Sequence, residues 1–555
     1  MPKYMNFPDV FRRNGWDMKH KSPKAIISLM TLFNQYKFIL IFAGMTLSIF
    51  RSLESRWGIQ QGDAAGYVDA MSDQSNTGDI NFTYGFSLDA LRKLFSLNPN
   101  EIDNDSFIFN RSSKPFIHWH PYLLGYIVRI IPNIFEVHFL PLLLLASSYA
   151  LGLVLILRQI YLSKTSNFKK TAITIPTVIS PILIEAMNGQ PYFDKLFFGP
   201  CIAILILLLV NKENHHLRIQ KIVTLLIVSF TLSERVSLMA ALMVLGVLVI
   251  CSKELGLRMN QKAILVVTCF FGVSWYIIWN QLISWNPDMQ NTSITYFLPN
   301  LQELFFGFRR KNFLIFISNV LPFLVLMIFH FRYFLIAFFS IVPNLLVNIG
   351  GAELSGYSTH YHSVYLPILV CLSVLSLVKS GPSPIANKYQ SSIILVAITL
   401  SIAGSSNYGS LQNLAKSADA LRIHLGNVAD SFGLIPNSKY EQRKALKSEY
   451  QDLFSGIRKD AGISISAPES LMPSLTSIGF GSVDYFPVGV GSDDLLVVPF
   501  TDPDFTNVEV SIYGLVPIES RDKWSRTILA VIENSYKLIS KKSGSFGNIA
   551  IYGKI

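Results

Sequence analysis

The chain has 555 residues, of which 50% are hydrophobic and only 15% are charged. Soluble proteins carry charge at about a quarter of their positions, so this composition excludes a soluble multidomain protein and predicts a polytopic membrane protein. The net charge of +11 would suggest a nucleic-acid partner in a soluble chain. Residues 406–555, however, carry 15 basic and 16 acidic side chains. The surplus therefore belongs to the hydrophobic part, and no nucleic-acid partner is predicted.

The first 37 residues form a basic N-terminal segment. They hold seven Lys or Arg against Asp9 and Asp17, and an apolar stretch at 38–50 follows directly. Positive charge beside a span is typical of the cytoplasmic side of a membrane. We therefore expect residues 1–37 to be cytoplasmic and the first span to cross outward. A cleaved signal peptide is disfavoured, because the charged region is long and no small-residue cleavage pattern follows.

Residues 38–405 are predicted to form a transmembrane domain of about 11 spans, in which residues 54–117 are a large, acid-rich outer first loop. About 20 apolar residues cross the hydrocarbon of a membrane. Basic residues between the later apolar runs fall on alternate loops, which we interpret as cytoplasmic. The later predicted spans are 137–157, 171–186, 192–210, 221–233, 236–252, 263–285, 312–331, 333–350, 361–379 and 391–405.

The run 121–133, between Pro121 and Pro132, is short for a span. Counting it as a span would place every later basic loop outside, so it is interpreted as re-entrant or interfacial. The alternative is that it does cross, and that the basic loop at 164–170 violates the charge rule.

Residues 406–555 are predicted to be a small α/β domain. Eleven spans that start inside leave this tail on the outer face, beside the first loop. Runs that alternate or are rich in β-branched residues predict strands at 463–466, 495–499 and 508–513, and helices are predicted near 439–459 and 523–541.

Polar and ionisable residues cluster at the predicted outer ends of the spans. Charged groups at membrane depth are costly, so a set that converges on one side of the bilayer suggests a site. For any single residue, an ordinary loop position is the alternative. One such turn contains Glu185 and Asp194. The residues assigned to substrate binding are Tyr67, His118, His120, Glu234, Arg235, His360 and Tyr361.

Glu234 and Arg235 interrupt a long apolar stretch in which no Gly or Pro forces a turn nearby. Two interpretations stay open. The pair neutralises itself at a tight helical hairpin, or Arg235 binds an anionic head group, because its planar fork of donors matches phosphate oxygens.

The two His-x-His triplets, His118/His120 and His360/His362, would each place both imidazoles on one side of an extended segment, as in some metal sites. Hydrogen bonding at the level of the lipid head groups is the alternative. No metal site is predicted from them, and a divalent cation is left open as a cofactor.

The segment Asp63-x-x-x-Tyr67, just after the first span, resembles the acidic motif of the GT-C class of membrane glycosyltransferases. More closely, the chain resembles a bacterial family of membrane proteins of unknown function related to that class. Segments 463–467 and 484–487 resemble that family's outer domain. Ser233-Glu234-Arg235 stands where that pattern has Lys-Glu-Asp, which leaves one carboxylate. The positions matched are Asp63, His120-Pro121, Glu234-Arg235 and His360-Tyr361 with Pro367.

This resemblance implies an inverting transferase of the cell inner or plasma membrane. Its partners would be a polyprenyl-phosphate-linked sugar and membrane lipid, with the acceptor on the outer face. Asp63, or Asp69 as second choice, would take the proton from the acceptor hydroxyl. Arg235, with His360 or Arg309, would stabilise charge on the departing phosphate. For Asp63, a helix cap in an acid-rich loop is the alternative.

Two other functions are retained. A lipid or solute transporter or flippase would line a path near the bilayer midplane and show inverted repeats. The polar clusters instead lie at the ends of spans, and the two halves of the chain show no matching pattern. A non-catalytic assembly protein would work through its outer tail.

Overall fold

The computed structural model describes most of the helical part of the chain and most of the C-terminal sheet. Between these parts it describes only short groups of residues. The described ranges are 23–54, 139–178, 181–188, 193–210, 215–284, 323–327, 330–346, 364–379, 463–468, 482–487, 489–510, 521–544 and 547–555, with isolated residues at 320, 471 and 475 and within 422–457.

Helices dominate the described part of residues 1–379, and the prediction of a mostly helical fold is confirmed. A 3-10 helix, Phe193–Phe197, precedes α5. The described α-helices here are α1 Pro23–Glu54, α2 Phe139–Leu162, α3 Asn167–Val178, α4 Pro181–Asn188, α5 Phe198–Leu209, α6 His215–Phe230, α7 Glu234–Ile250, α8 Met259–Ser284, α9 Phe331–Leu346 and α10 Leu366–Lys379.

Three described helices are long and apolar enough to cross a membrane, through the windows Tyr36–Leu53, Phe139–Leu162 and Met259–Ile278. Two shorter apolar helices are Phe331–Ile341 and Leu366–Lys379. Nearly all of the predicted first loop, the run 121–133 and the predicted span 391–405 lie outside the described residues.

Two predicted spans differ from the helices observed. The single run 171–186 is two helices, α3 and α4, with α4 starting at Pro181. Proline disfavours helical backbone in the residue before it but suits the first position of a new helix. In the run 361–379, α10 begins at Leu366 after a turn at 364–365, so Pro367 lies in the first turn of α10, where its missing N–H costs nothing. The pattern of apolar residues alone did not reveal where α4 and α10 begin.

Helix α2 packs closely against α5. A Cβ added to Gly152 would lie 2.6 Å from the ring of Phe198 and 2.8 Å from Ile202 Cδ1. The Ser148 hydroxyl donates to Leu196 O (2.7 Å) and accepts from Gly199 N (2.9 Å). Small residues let membrane helices approach closely, and hydroxyls hydrogen-bond across the contact. Because contacts advance along both helices together, α2 and α5 end on the same side of the bundle.

Basic side chains gather on that side, which we call the basic end. Arg218, near the start of α6, donates from Nη2 to Leu208 O near the end of α5 (2.9 Å) and from Nη1 to Leu255 O beyond α7 (3.2 Å). Lys379, the last residue of α10, donates to Leu209 O (2.9 Å). The ends of α5, α7 and α10 therefore meet the start of α6.

Further contacts extend the basic end. Lys37 Nζ lies 4.0 Å from the ring centroid of Tyr161, near the end of α2, and Lys170 donates to Tyr161 O (2.8 Å). Arg332, at the start of α9, forms an ion pair with Glu254. The basic residues that the sequence places on alternate loops thus share one end of the bundle within the described residues.

The opposite end is where α1 ends and α2 begins. The Phe50 and Phe139 rings meet edge to face with centroids 4.9 Å apart. The turn at 231–233, between α6 and α7, lies at this end as well. The 3-10 helix contacts both α2 and α7. Buried side chains of all these helices form one hydrophobic cluster.

The C-terminal part contains a five-stranded mixed sheet. The strand order is β2-β1-β3-β5-β4, with β1 parallel to β2 and β3, and β5 antiparallel to β3 and β4. Its elements are β1 Ser464–Ala467, β2 Ser482–Tyr485, β3 Leu495–Phe500, α11 Arg521–Ser535, β4 Tyr536–Gly544 and β5 Gly547–Lys554.

Both faces of the sheet have a core of their own. Trp524 and Ile528 of α11 pack on the face that carries Leu496. Phe454 and Leu471 pack on the face that carries Leu495. Among the described residues, neither cluster includes a residue of the helical bundle. The described part of this region combines strands with a helix.

Four predicted elements of the C-terminal region can be compared with the structure. The strand at 495–499 is confirmed, and the strand at 463–466 is shifted by one residue. The strand at 508–513 is not observed in its described part, where Val508 makes only an isolated bridge to Phe500. The helix at 523–541 is wrong beyond Ser535, because Tyr536 begins β4. Pairing with β5 in a β-hairpin overrides the apolar helical spacing there.

Candidate functional site

Glu234 and Arg235 lie in the first turn of α7, at the opposite end of the bundle. Ser233 caps this helix, because its hydroxyl accepts the Val236 N–H at 3.2 Å. The cap explains how the chain turns between α6 and α7 without Gly or Pro. A carboxylate in a first turn is also stabilised by the helix dipole, so the local structure favours Glu234 at this position.

The two side chains of this pair differ in exposure. Arg235 Nε lies 3.8 Å from Glu234 Oε1, and the side chains are 31% and 6% exposed, respectively. The ion pair proposed as one interpretation is therefore present. Because the Arg235 side chain is partly exposed while the Glu234 side chain is buried, the geometry is also compatible with an anion binding to Arg235.

Asp194 and Lys195 form a second charged pair in the sequence, on the 3-10 helix before α5. Both are buried. Lys195 Nζ donates to Ala186 O (3.0 Å), near the end of α4, and the Tyr149 hydroxyl donates to the same carbonyl (3.4 Å). The partial negative charge at the end of a helix suits an ammonium group there. Lys195 is thus anchored between α2 and α4.

These two pairs lie on contacting elements, since the 3-10 helix packs against α7. Four acidic or basic residues are buried in the described part of the bundle: Asp194, Lys195, Arg218 and Glu234. Arg218 belongs to the basic end, where two carbonyls accept from it. The other three belong to the opposite end. In a low-dielectric setting such groups interact strongly with any charge brought near them.

Sequence reasoning named Asp194 but missed Lys195. The sequence did contain a signal for Lys195. The charged pair Asp194-Lys195 lies inside the predicted apolar span 192–210, close to its start. A lysine at the predicted edge of a span is normally expected to extend towards the head groups. Its burial follows instead from the 3-10 helix, which directs it to the end of α4.

Most of the predicted site lies outside the described residues. This applies to the predicted catalytic residues Asp63 and Asp69, and to the predicted substrate-binding residues Tyr67, His118, His120, His360 and Tyr361. Helix α1 ends at Glu54, nine positions before Asp63, and α10 begins at Leu366, five positions after Tyr361. Both of these helix ends lie away from the basic end.

The described residues include no group of three or more His, Cys, Asp or Glu side chains placed to hold a metal ion. The four cysteines are buried within helices or their ends and are not bonded to one another.

The chain is similar to a known protein in structure but matches none in sequence. No protein-family model matches the chain, and no curated protein matches it. Among solved structures, the chain is similar to the crystal structure of ArnT from Cupriavidus metallidurans bound to undecaprenyl phosphate. The two share 11% sequence identity over 94% of this chain and 98% of that chain, with a TM-score of 0.47.

Proposed function

We propose that this protein is an inverting membrane glycosyltransferase that moves a sugar from a polyprenyl-phosphate donor to an acceptor on the outer face of the membrane. The observation that carries the proposal is the charged group at the opposite end of the bundle: buried Asp194, Lys195 and Glu234 beside partly exposed Arg235. Helix α1 ends at the same end, so the chain enters the segment of Asp63 from there.

The proposed topology places the basic end in the cytoplasm, following the charge rule. Residues 1–37 are then cytoplasmic, residues 38–405 form the membrane domain, and residues 406–555 lie outside. Because α1 ends and α2 begins at the same end, this topology requires an even number of crossings between them. A re-entrant or interfacial segment at 121–133 meets that requirement.

The proposed reaction is a single displacement at the anomeric carbon. The carboxylate of Asp63, with Asp69 as second choice, accepts the proton of the acceptor hydroxyl as its oxygen bonds to that carbon. The bond from the carbon to the phosphate oxygen breaks, and the polyprenyl phosphate leaves with the electron pair. The configuration of the sugar is inverted, because the acceptor attacks the face opposite the leaving group.

Arg235 is assigned to the leaving phosphate. Its side chain is about one third exposed, and a fork of N–H donors matches two phosphate oxygens. Glu234, buried and 3.8 Å away, would hold Arg235 in place and is a positioning residue. Tyr67, His118, His120, His360 and Tyr361 stay predicted contacts of the sugar or phosphate.

The test is transfer of label from a panel of radiolabelled polyprenyl-phosphate sugars by the purified full-length protein in lipid. Asp63→Asn keeps the size of the side chain but removes the base. We expect it to fold normally and to lose about 100-fold or more of the transfer rate, the range of general-base contributions. Glu234→Gln should fall between this variant and the wild type.

No transfer from any donor, together with normal cellular function of Asp63→Asn, would overturn the proposal. Movement of a labelled lipid or solute across the bilayer without transfer would favour the transporter. Function that depends only on residues 406–555 would favour a non-catalytic assembly protein.

A further inference from the structure

The last strand pair of the sheet ends in an exposed, basic edge. Strand β4 is exposed along almost its whole length, including Leu538 (42%) and Ile539 (53%). The last 20 residues of the chain contain four lysines and no acid, although residues 406–555 as a whole are nearly neutral. We call β4, with its three lysines Lys537, Lys541 and Lys542, the basic edge.

The register explains why both faces of this edge carry cations. Lys541 is paired with Ala550, on the face covered by α11, whereas Lys542 is paired with Ile549, on the other face. The pairing shifts between Leu538 and Ser540, so Ile539 is an extra residue in a bulge. The basic edge thus combines three exposed lysines with two exposed large aliphatic side chains.

The two hydrophobic cores do not cover this edge. Apart from Tyr536, no residue of β4 belongs to either core within the described part of the chain. Lys541 Nζ lies 4.9 Å from the Phe505 ring centroid, and its other neighbours include no carboxylate that forms an ion pair with it among the described residues. The positive charge of the basic edge is therefore available to an external anion.

We propose that the basic edge docks on the anionic lipid surface of the membrane that holds the helical bundle. Lysines beside exposed aliphatic residues are the combination that binds such surfaces, with the ammonium groups on lipid phosphates and the aliphatic groups in the head-group layer. The lipid surface is always close to the sheet, because the helices of the same chain anchor the sheet to the membrane. The inference does not depend on the proposed transferase activity.

Lysines and bulges also protect open sheet edges from pairing with other strands. That role explains the charges but not the exposed Leu538 and Ile539, and it predicts no response to lipid charge. The two accounts therefore differ in a property that can be measured.

The test uses the full-length protein in lipid nanodiscs, made either of phosphatidylcholine alone or of equal parts phosphatidylcholine and phosphatidylglycerol. All four native cysteines are buried, so a nitroxide attaches selectively at an introduced Ser543→Cys, which is exposed on β4. A matched label at Lys523→Cys reports the exposed side of α11. Collision with a water-soluble relaxation agent gives the accessibility of each label.

We expect the Ser543 label to lose accessibility in the anionic discs only, while the Lys523 label stays accessible in both. The double variant Lys541→Glu/Lys542→Glu should restore accessibility, as should high salt, which shortens the range of charge interactions. Equal accessibility of the Ser543 label in both lipids would overturn the proposal. So would protection accompanied by coupling between labels on two copies, since that indicates strand pairing.

Discussion

The two ends of the helical bundle handle charge in different ways. At the basic end, the cations have evident structural partners: Arg218 and Lys379 donate to carbonyls at helix ends, and Arg332 pairs with Glu254 on the surface. At the opposite end, Asp194, Lys195 and Glu234 are buried together on contacting elements.

This difference suggests a structural role for the charged residues of the basic end and a functional role for those of the opposite end. Cations at one end of a bundle are explained by the charge rule and by helix dipoles, without any ligand. Buried ionisable residues cost free energy at membrane depth and are usually kept for function. Substitutions at the basic end should therefore change stability, and those at the opposite end should change activity.

The largest expected effect follows substitution of Arg235. Arg235→Gln removes a cation from the leaving phosphate, and loss of one group that stabilises developing charge costs about 100-fold or more in rate. Arg332→Gln, at the exposed ion pair of the basic end, is the matched control and should retain nearly full transfer. Equal losses in both variants would remove the distinction between the two ends.

The next effect is on stability. Arg218→Met leaves two buried carbonyls without their charged donor, and a hydrogen bond to a charged group contributes about 1.5–3 kcal/mol. The unfolding temperature in detergent should fall clearly, while the transfer rate per folded molecule should stay unchanged. Lys253→Met, at an exposed position of the same end, should unfold like the wild type. Loss of specific activity in Arg218→Met would contradict the structural assignment of this end.

Packing of α2 against α5 positions the 3-10 helix that carries Lys195. Gly152→Ala would push a methyl group against Phe198 and Ile202, and overpacking costs about 1–3 kcal/mol. At Gly246 of α7, nothing lies within 4 Å of an added Cβ. Gly246→Ala should therefore gain up to about 1 kcal/mol from helix propensity. We therefore expect the unfolding temperature to fall in Gly152→Ala and to rise in Gly246→Ala. A rise in both variants would mean that α2 and α5 are farther apart than the structure shows.

The smallest effect concerns the C-terminal sheet. The Tyr536 hydroxyl accepts from Gly491 N and donates to Asp493 O, both at 3.0 Å. Tyr536→Phe should cost about 1 kcal/mol. It should be visible as faster hydrogen exchange in β3 and β5 but not in the helical bundle, which shares no core with the sheet.

Tyr536 also predicts a dependence on pH. Burial raises its pKa from 10.0 to about 12. Because the raised pKa favours the neutral phenol in the folded state, its stabilisation is complete below pH 10 and is lost as the pH rises towards about 12. Hydrogen exchange in β5 should accelerate over this range in the wild type and less in Tyr536→Phe. Identical profiles would contradict the assignment.

The sequence predicted the helices well because apolar runs and alternating basic loops are strong signals. It placed the break between α6 and α7 at Glu234 and Arg235, which stand out in an apolar stretch, although α7 begins at Glu234, two residues before the predicted span 236–252. Lys195 was missed because its burial depends on a contact with the end of α4, which no local pattern encodes. The end of helix α11 was missed for a different reason: residues from Tyr536 onward pair with the next strand, β5, in a hairpin, and the apolar spacing of 523–541 also fits a helix.

The most direct test of the account is photoaffinity labelling of the full-length protein with a polyprenyl phosphate that carries a diazirine next to the phosphate. The account predicts adducts on peptides from the opposite end, around residues 181–199 and 231–240, that disappear when unlabelled polyprenyl phosphate is in excess. Specific adducts confined to the basic end, around Arg218 and Leu255, would contradict it. So would a complete lack of competed adducts.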